Sequence, residues 1–275
     1  MTISRAGICS WSLRQPDTSS LVGAIRDIGL SAVQIALDPI RLGEMSVAEV
    51  RQRFAADHID LISGMMAMEG EDYSTLDSIR ATGGVVPDVT WPLNRRAAPE
   101  NARIAHELGI GLVTFHAGFV QDGGSPDRRA VIVERLRSIA ASFDEHGIRV
   151  ALETGQEAAD TLLLLLAELG GVGVNFDPAN TILYGMGDPV KAFEQLGPHV
   201  MQVHVKDAVR SAERGRWGTE VPVGEGDVDW ASFFAVARTL RQPVDLVVER
   251  EDGNDRIADI RKAVAVIARH NAAVS

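Results

Sequence analysis

The chain has 275 residues, 45% of them hydrophobic, and a formal net charge of −11 from 27 basic and 38 acidic side chains. That length suits one globular domain spanning 1–275 with an ample core, close to the roughly 250 residues of an eight-unit β/α barrel. The acidic balance disfavours nucleic-acid binding, which needs clustered Lys and Arg; Cys9 alone excludes an intrachain disulfide and a thiolate metal cluster; no apolar run is long enough to span a bilayer.

The start, MTISRAGICSWSL, has neither the charged head nor the long apolar run of a secretory signal, so a cytoplasmic location is expected. Eight strand-like runs follow in order, at 6–10, 32–37, 59–65, 112–116, 148–153, 172–177, 201–205 and 245–249. Several are nearly continuous apolar runs, the pattern of strands covered on both faces. Helical stretches fill the intervals. Ser46-Val-Ala-Glu49 reads as a capping box. Residues 127–146 carry a stripe of Val131, Ile132, Leu136, Ile139 and Ala140, closed by His146-Gly147. Asp229-Trp230 opens a helix reaching Leu240, and 257–270 forms the last one. Two segments break the spacing. Residues 66–91 hold Gly70, Gly83, Gly84 and Pro87; residues 208–227 hold four glycines with Arg210, Arg214, Arg216 and Trp217. Both follow strands, so both are expected to overhang the C-terminal face and cover a substrate. Eight strand–helix units argue for an α/β fold closed as a (β/α)8 TIM barrel. An open doubly wound sheet would want a Gly-rich turn after the first strand, where the chain has Cys9-Ser-Trp-Ser-Leu; no nucleotide cofactor is implied.

Four metal-ligand residue types end successive strands of the second half: Glu153 in RVALETG, Asp177 in GVNFDP, His204 in MQVHVKD and Glu249 in DLVVERE. Singly, each has a plain structural reading: a surface glutamate, a turn-starting aspartate before Pro178, a hydrogen-bonded core histidine. Together they describe a pocket for one divalent metal ion on a barrel rim, suited to Mn²⁺ or Mg²⁺, with Co²⁺ or Zn²⁺ as alternatives. A cation there polarises a carbonyl and an adjacent hydroxyl and stabilises an enediolate, and a neighbouring carboxylate moves the proton. His116, ending the fourth strand, either meets substrate or pairs with a carboxylate. Trp11 either stacks on a sugar face or roofs the barrel. Alternation turns Lys206 to the side of His204, to touch substrate or pair with Glu249 or Glu251, while Asp207 braces a loop. Met65, Met66 and Met68 are read as core and pocket lining.

The runs LETGQE, NFDPAN, HVKD, PVGEGDVD and VVERE resemble the xylose-isomerase-like barrel superfamily, and within it the sugar phosphate isomerase/epimerase group, related to ketose 3-epimerases, inosose isomerases and dehydratases, and hydroxypyruvate isomerases. The resemblance extends from GICSWSL to VVERE and is most specific in the second half. It implies that Glu153, Asp177, His204 and Glu249 hold one metal, that Glu153 and Glu249 are also the catalytic acid/base pair, and that Arg210, six positions after the histidine, holds substrate. His116, Asn180, Lys206 and Trp11 complete the expected substrate contacts. Two positions depart from the epimerase pattern. Asn180 stands where those enzymes carry a histidine, and Ala159 where they carry a substrate glutamate, with Glu157 two positions earlier. Endonuclease IV shares the superfamily, but it needs extra histidines that this chain lacks. The expected function is a metal-dependent sugar isomerase or epimerase acting on a ketose or keto-polyol through a metal-stabilised enediolate. The alternatives are a keto-sugar or inosose dehydratase on the same site, and a non-catalytic sugar-binding module. The partner is a small-molecule carbohydrate, with no nucleic acid and no membrane; a homo-oligomer is compatible.

Overall fold

Eight parallel strands form where the hydropathy places them: β1 (Ala6–Cys9), β2 (Ala32–Ala36), β3 (Asp60–Met65), β4 (Leu112–His116), β5 (Arg149–Glu153), β6 (Gly173–Phe176), β7 (Val200–Val205) and, after a short hairpin, β10 (Asp245–Val248). In this computed structural model, which describes residues 5–120, 125–213 and 215–272, they close into a barrel in the order β1, β10, β7, β6, β5, β4, β3, β2. The hairpin, β8 (Asp207–Val209) and β9 (Thr219–Val221), is antiparallel and was not anticipated. It lies within the Gly- and Arg-rich segment after β7, where no alternating pattern announces a strand; Arg214 of that segment lies outside the described residues.

The surrounding helices are α1 (Thr18–Ile28), α3 (Val47–Ala56), α5 (Trp91–Glu107), α6 (Pro126–Asp144), α7 (Ala159–Leu169), α9 (Pro189–Leu196), α10 (Trp230–Ala237) and α11 (Arg256–Ala272). Short pieces α2 (Asp38–Arg41), α4 (Leu76–Thr82) and α8 (Pro178–Leu183) sit in the connections. Ser46 Oγ accepts the Glu49 amide at 3.1 Å, the hydroxyl half of the anticipated box. The reciprocal form occurs instead between Thr75 and Ser78 at the start of α4. After α6, Gly147 adopts φ 69° and the His146 and Ile148 amides both return to Phe143 O, so the helix stops where the His-Gly pair suggested. Asp229 caps α10 through the Ser232 amide at 3.1 Å, but α10 ends at Ala237, short of the expected Leu240.

Most apolar side chains lie between barrel and helices. Phe176 of β6 packs on Phe193 of α9 at 4.9 Å between ring centroids, and Phe193 stacks on Phe233 of α10 at 4.3 Å. Each such side chain contributes roughly 1.5–3 kcal/mol on full burial. The barrel interior is different. Its apolar content is a small group, Cys9, Ala32, Ile62 and Val247. The same lumen holds a satisfied polar chain: Ser63 Oγ donates to Gln202 Oε1 at 2.5 Å, and Gln202 Nε2 donates to Asn175 Oδ1 at 3.2 Å. With the hydrophobic driving force placed outside, the lumen is free to carry charge. Among the described residues, no helix is long and apolar enough to cross a membrane.

The segment after β3 is pinned to the exit of β4. Val85 N donates to Ala117 O at 3.1 Å, and Gly84 adopts φ +64° with its α-carbon against that peptide; a Cβ there would lie 2.2 Å from Ala117 C. Glycine meets both the left-handed backbone and the close approach.

Candidate metal centre and cavity

Alternation along three strands aims their ends at one point. Asn175 and Asp177 follow one another on the lumen side of β6, Gln202, His204 and Lys206 on that of β7, and Glu249 and Glu251 beyond β10. Register pairs His116 with Glu153, Glu153 with Asn175, and His204 with Val247, so the last lumen-facing residues of β4, β5 and β7 and the first after β10 stand near one level. One donor atom each from Glu153, Asp177, His204 and Glu249 lies within 4.8 Å of the other three, and all four residues are buried. The widely spaced sequence positions therefore do converge.

His204 sits at the middle. Its Nδ1 is 3.2 Å from Glu153 Oε1, 3.4 Å from Glu249 Oε2 and 3.8 Å from Asp177 Oδ2. Its Nε2 is 2.7 Å from Gln34 Oε1. Gln34 Nε2 in turn donates to Thr114 Oγ1 at 2.8 Å and to Gly64 O at 3.4 Å, which turns its carbonyl toward the imidazole. The Asn175 amide nitrogen lies 3.0 Å from the same Nε2, so Gln34 and Asn175 together hold the ring. With Nε2–H donating to the nearer Gln34 oxygen, Nδ1 presents toward the carboxylates the lone pair a metal requires. Asp177 divides its work. Oδ1 accepts the Asn180 amide at 2.9 Å and caps α8, while Oδ2 is buried with no hydrogen-bond partner. An unpartnered buried carboxylate oxygen aimed among two further carboxylates and an imidazole is an arrangement that a bound cation would satisfy. The donor set of three oxygens and one nitrogen fits a hard or borderline divalent ion.

The charges in the cluster depend on one another. Burial works to raise the pKa of Glu153, but His204 and His116 outweigh it and hold the carboxyl below its usual range. Burial likewise opposes the charge on Glu249, and Lys206 and His204 bring it well below that range. Asp177 goes the other way: burial, with Glu249 and Glu153 adding to it, raises its pKa well above normal against the pull of Lys206. Burial disfavours the His204 imidazolium, yet Glu153, Cys9 and Glu249 raise its pKa well above normal. A proton is thus the competitor a cation displaces, which makes metal affinity rise with pH.

Glu153 Oε1 also accepts from Asn180 Nδ2 at 3.1 Å and faces His116 Nε2 at 3.7 Å; His116 Nδ1 is buried without a partner. Glu249 Oε1 accepts from Trp11 Nε1 at 2.8 Å and Oε2 from Lys206 Nζ at 2.9 Å. Lys206 donates to Glu251 as well, at 2.5 Å, so both of its anticipated ion pairs form. Asp207 braces the following loop by accepting from the Gly224 amide and Trp230 Nε1, each at 2.8 Å. Above the cluster opens a cavity of about 770 Å³ bordered by Trp11, Met65, His116, Asn180, Lys206 and Glu249, the expected residues, and by Glu251, the expected partner of Lys206. Tyr73, Trp217 and Glu220 also border it, from the two segments expected to overhang the rim, though none was singled out as a contact; Tyr184 was not foreseen at all. Tyr73 comes from the segment after β3, Tyr184 from the end of α8, and Trp217 and Glu220 from the hairpin, none of them on a barrel strand. Gln34 was missed too, although alternation on β2 is a signal that could have placed it in the lumen.

One expected contact is not brought to this cavity. Arg210 is exposed, its guanidinium donates to Gly187 O at 3.0 Å, and it borders a separate depression beside Asp188 and Asp229. The β8–β9 pairing explains the displacement. It holds Asp207–Val209 against Thr219–Val221, and beyond it Arg210 is fixed elsewhere, its amide on Asp227 Oδ2 at 2.7 Å and its guanidinium on Gly187 O.

A family model described as xylose isomerase-like TIM barrel matches residues 22–270. Among curated proteins, the uncharacterized protein YihM of Escherichia coli K12 is 25% identical over 145 residues, which is 51% of this chain and 44% of that protein; the match spans less than half of that relative's length. Among solved structures, a xylose isomerase domain protein from Planctomyces limnophilus is 29% identical, with a TM-score of 0.85 over 90% of this chain and 91% of that one. A structure described as the probable 3-DHS dehydratase AsbF of Bacillus anthracis superposes with a TM-score of 0.73 at 17% identity, covering 96% and 98% of the two chains. An L-ribulose 3-epimerase does so at 0.75 and 15%, covering 98% and 95%; these last two likenesses show the fold alone.

Proposed function

The chain belongs to the xylose isomerase-like TIM-barrel family, and from that premise we propose that it is a sugar isomerase or epimerase, dependent on one divalent metal, that acts on a ketose or keto-polyol by moving the proton on the carbon beside the carbonyl. The observation that carries this reading is the convergence of Glu153, Asp177, His204 and Glu249 around an unpartnered Asp177 oxygen. Those four residues would hold Mn²⁺ or Mg²⁺. When bound, such an ion supplies a Lewis acid that polarises the substrate carbonyl and steadies negative charge on its oxygen.

The protein's own groups do the rest. Glu153 and Glu249 approach the cluster from β5 and from beyond β10, and both are held ionised by cationic neighbours. One carboxylate takes the α-proton and becomes neutral; the other takes up a proton from solvent and delivers it, and the first then gives its proton back to solvent. Delivery to the opposite face of the same carbon changes configuration; delivery to the former carbonyl carbon, with the neighbouring hydroxyl proton passing to its oxygen, moves the carbonyl. Asn180 Nδ2 and Trp11 Nε1 each fix one carboxylate in place. The aromatic wall of the cavity excludes water from the reacting carbon and offers flat faces to sugar C–H groups.

A dehydratase reading has one observation in its favour. His116, with a buried unpartnered Nδ1 and its Nε2 toward Glu153, is a further proton carrier of the sort needed to protonate a departing hydroxyl. Incubation of metal-supplemented protein with a panel of ketoses and inososes in D₂O separates the two. An epimerase or isomerase returns an isomer carrying deuterium, a dehydratase a deoxy-diketo product. Glu153→Gln and Glu249→Gln should each slow α-proton exchange by about 10²–10⁴-fold with unchanged circular dichroism. No exchange from any substrate by protein that retains its metal would leave the binding-module reading in its place.

A further inference from the structure

The cavity wall is charged with one sign. Asp38, Glu220, Glu249, Glu251 and Asp252 border it, and among the described residues Lys206 is the one Lys or Arg side chain that does so. That ammonium is committed. It lies 2.9 Å from Glu249 and 2.5 Å from Glu251, with Glu220 at 3.8 Å, so three carboxylates share one positive charge. Arg41 and Arg250 pair with Asp38 and Glu220 from outside the cavity, at 2.9 Å and 2.6 Å, and offset those two charges. Asp252 has its Oδ1 on the Gly253 amide and no cation within pairing distance among the described residues. The remaining lining is aromatic to an unusual degree for this chain. Both of its two tyrosines and two of its four tryptophans face the cavity.

Recognition of a phosphate or a carboxylate calls for Arg or Lys donors, usually bidentate, and like charge placed opposite like charge is repelled. This wall offers the reverse: a surplus of acceptor oxygens, which sugar hydroxyls satisfy by donating, and ring faces, which their C–H groups cover. We infer that the substrate is an uncharged polyhydroxylated ketone, a free ketose or cyclic keto-polyol, and that the cavity rejects sugar phosphates and sugar acids. The inference rests on the proposed reading for the reacting end of the molecule; the charge argument concerns the end that faces the rim.

The test is calorimetric binding with pairs of probes that differ by one phosphate group, D-fructose, D-tagatose and D-allulose against their 6-phosphates, on protein with and without Mn²⁺; low and high ionic strength separate the charge of that group from its size and its effect on ring form. At low salt the free ketose should bind about tenfold or more tightly than its phosphate. High salt should narrow the gap, and so should Asp252→Asn, which leaves Lys206 and the metal cluster untouched. A phosphate that binds as tightly as the free sugar overturns the inference, as does failure of every uncharged ketose to bind. α-Proton exchange in D₂O is read separately on the same samples. Free ketoses that bind selectively and do not exchange would sink the catalytic reading and leave the neutral-ligand inference standing; exchange with preference for phosphates would do the opposite.

Discussion

Lys206→Met removes the one ammonium shared by two buried carboxylates, Glu249 and Glu220, and the exposed Glu251, and keeps the volume of the side chain. Deleting one partner of a buried ion pair leaves uncompensated charge and costs about 3–5 kcal/mol. For a chain of this size that lowers Tm by roughly 6–20 °C. The pH dependence identifies the cause. Burial opposes the Lys206 charge, but Glu249, Glu251, Asp177 and Glu220 raise its pKa well above 10.5, so its stabilisation is fully present below that value and fades only as pH rises through the higher folded one. Glu249 has the opposite sign. Burial opposes its charge too, yet Lys206 and His204 hold it well below 4.5, so its contribution is present above that value and is lost as pH falls through the folded pKa. In the variant, Glu249 loses the first of those cations and its pKa climbs. The Tm difference between wild type and variant, followed by scanning calorimetry in the presence of a chelator, should therefore be largest from about pH 6 to 9 and shrink below about pH 4.5 as the stranded carboxylates take up protons. A loss of equal size at pH 4 and pH 7 would show that packing, not charge, is what Lys206 contributes; a loss under about 1 kcal/mol would refute the buried-pair reasoning outright.

Two further perturbations each act on the hydrogen bonds of a single carboxylate. Asp207→Asn turns two acceptor oxygens that serve Ala208 N, Val228 N, Gly224 N and Trp230 Nε1 into one oxygen and one amide donor facing donors. It should cost about 2–4 kcal/mol, read from urea-denaturation midpoints, and less than about 1 kcal/mol would mean the hub is not stabilising. Trp11→Phe keeps an aromatic face and loses the 2.8 Å bond to Glu249 Oε1. The α-exchange rate should fall roughly tenfold with little change in KM, because a hydrogen bond to a charged group is removed from a proton-transferring carboxylate. A change confined to KM would instead make Trp11 a binding surface alone.

The barrel was legible because its strands are short, apolar and evenly spaced, and because strand ends are where lumen-facing side chains emerge. Glu153, Asp177, His204 and Glu249 each end or follow a strand, so hydropathy alone put them on one rim. The finer shell was not legible, for two physical reasons. Gln34 and Asn175 lie mid-strand, where a polar residue reads as an exception to the apolar pattern; only the closed lumen makes them supports for His204. Tyr73, Tyr184, Trp217 and Glu220 reach the cavity from loops, a helix end and a hairpin whose paths are set by tertiary contacts such as Gly84 against Ala117. Arg210 shows the same limit in reverse. Its distance from His204 along the chain was known, but the β8–β9 pairing, after which Arg210 turns to Gly187 and Asp227, was not. Asp177 needed both of its readings: the turn before Pro178 is real, because one oxygen caps α8, and the other oxygen is left for the cluster.

The central claim is that Glu153, Asp177, His204 and Glu249 hold one divalent cation between them. Anomalous diffraction at the manganese edge, from crystals equilibrated with Mn²⁺, tests it most directly. A single peak within bonding distance of His204 Nδ1 and of an oxygen from each of the three carboxylates is the predicted result. A saturated crystal with no peak among those four side chains, or with its only peak elsewhere, would contradict it.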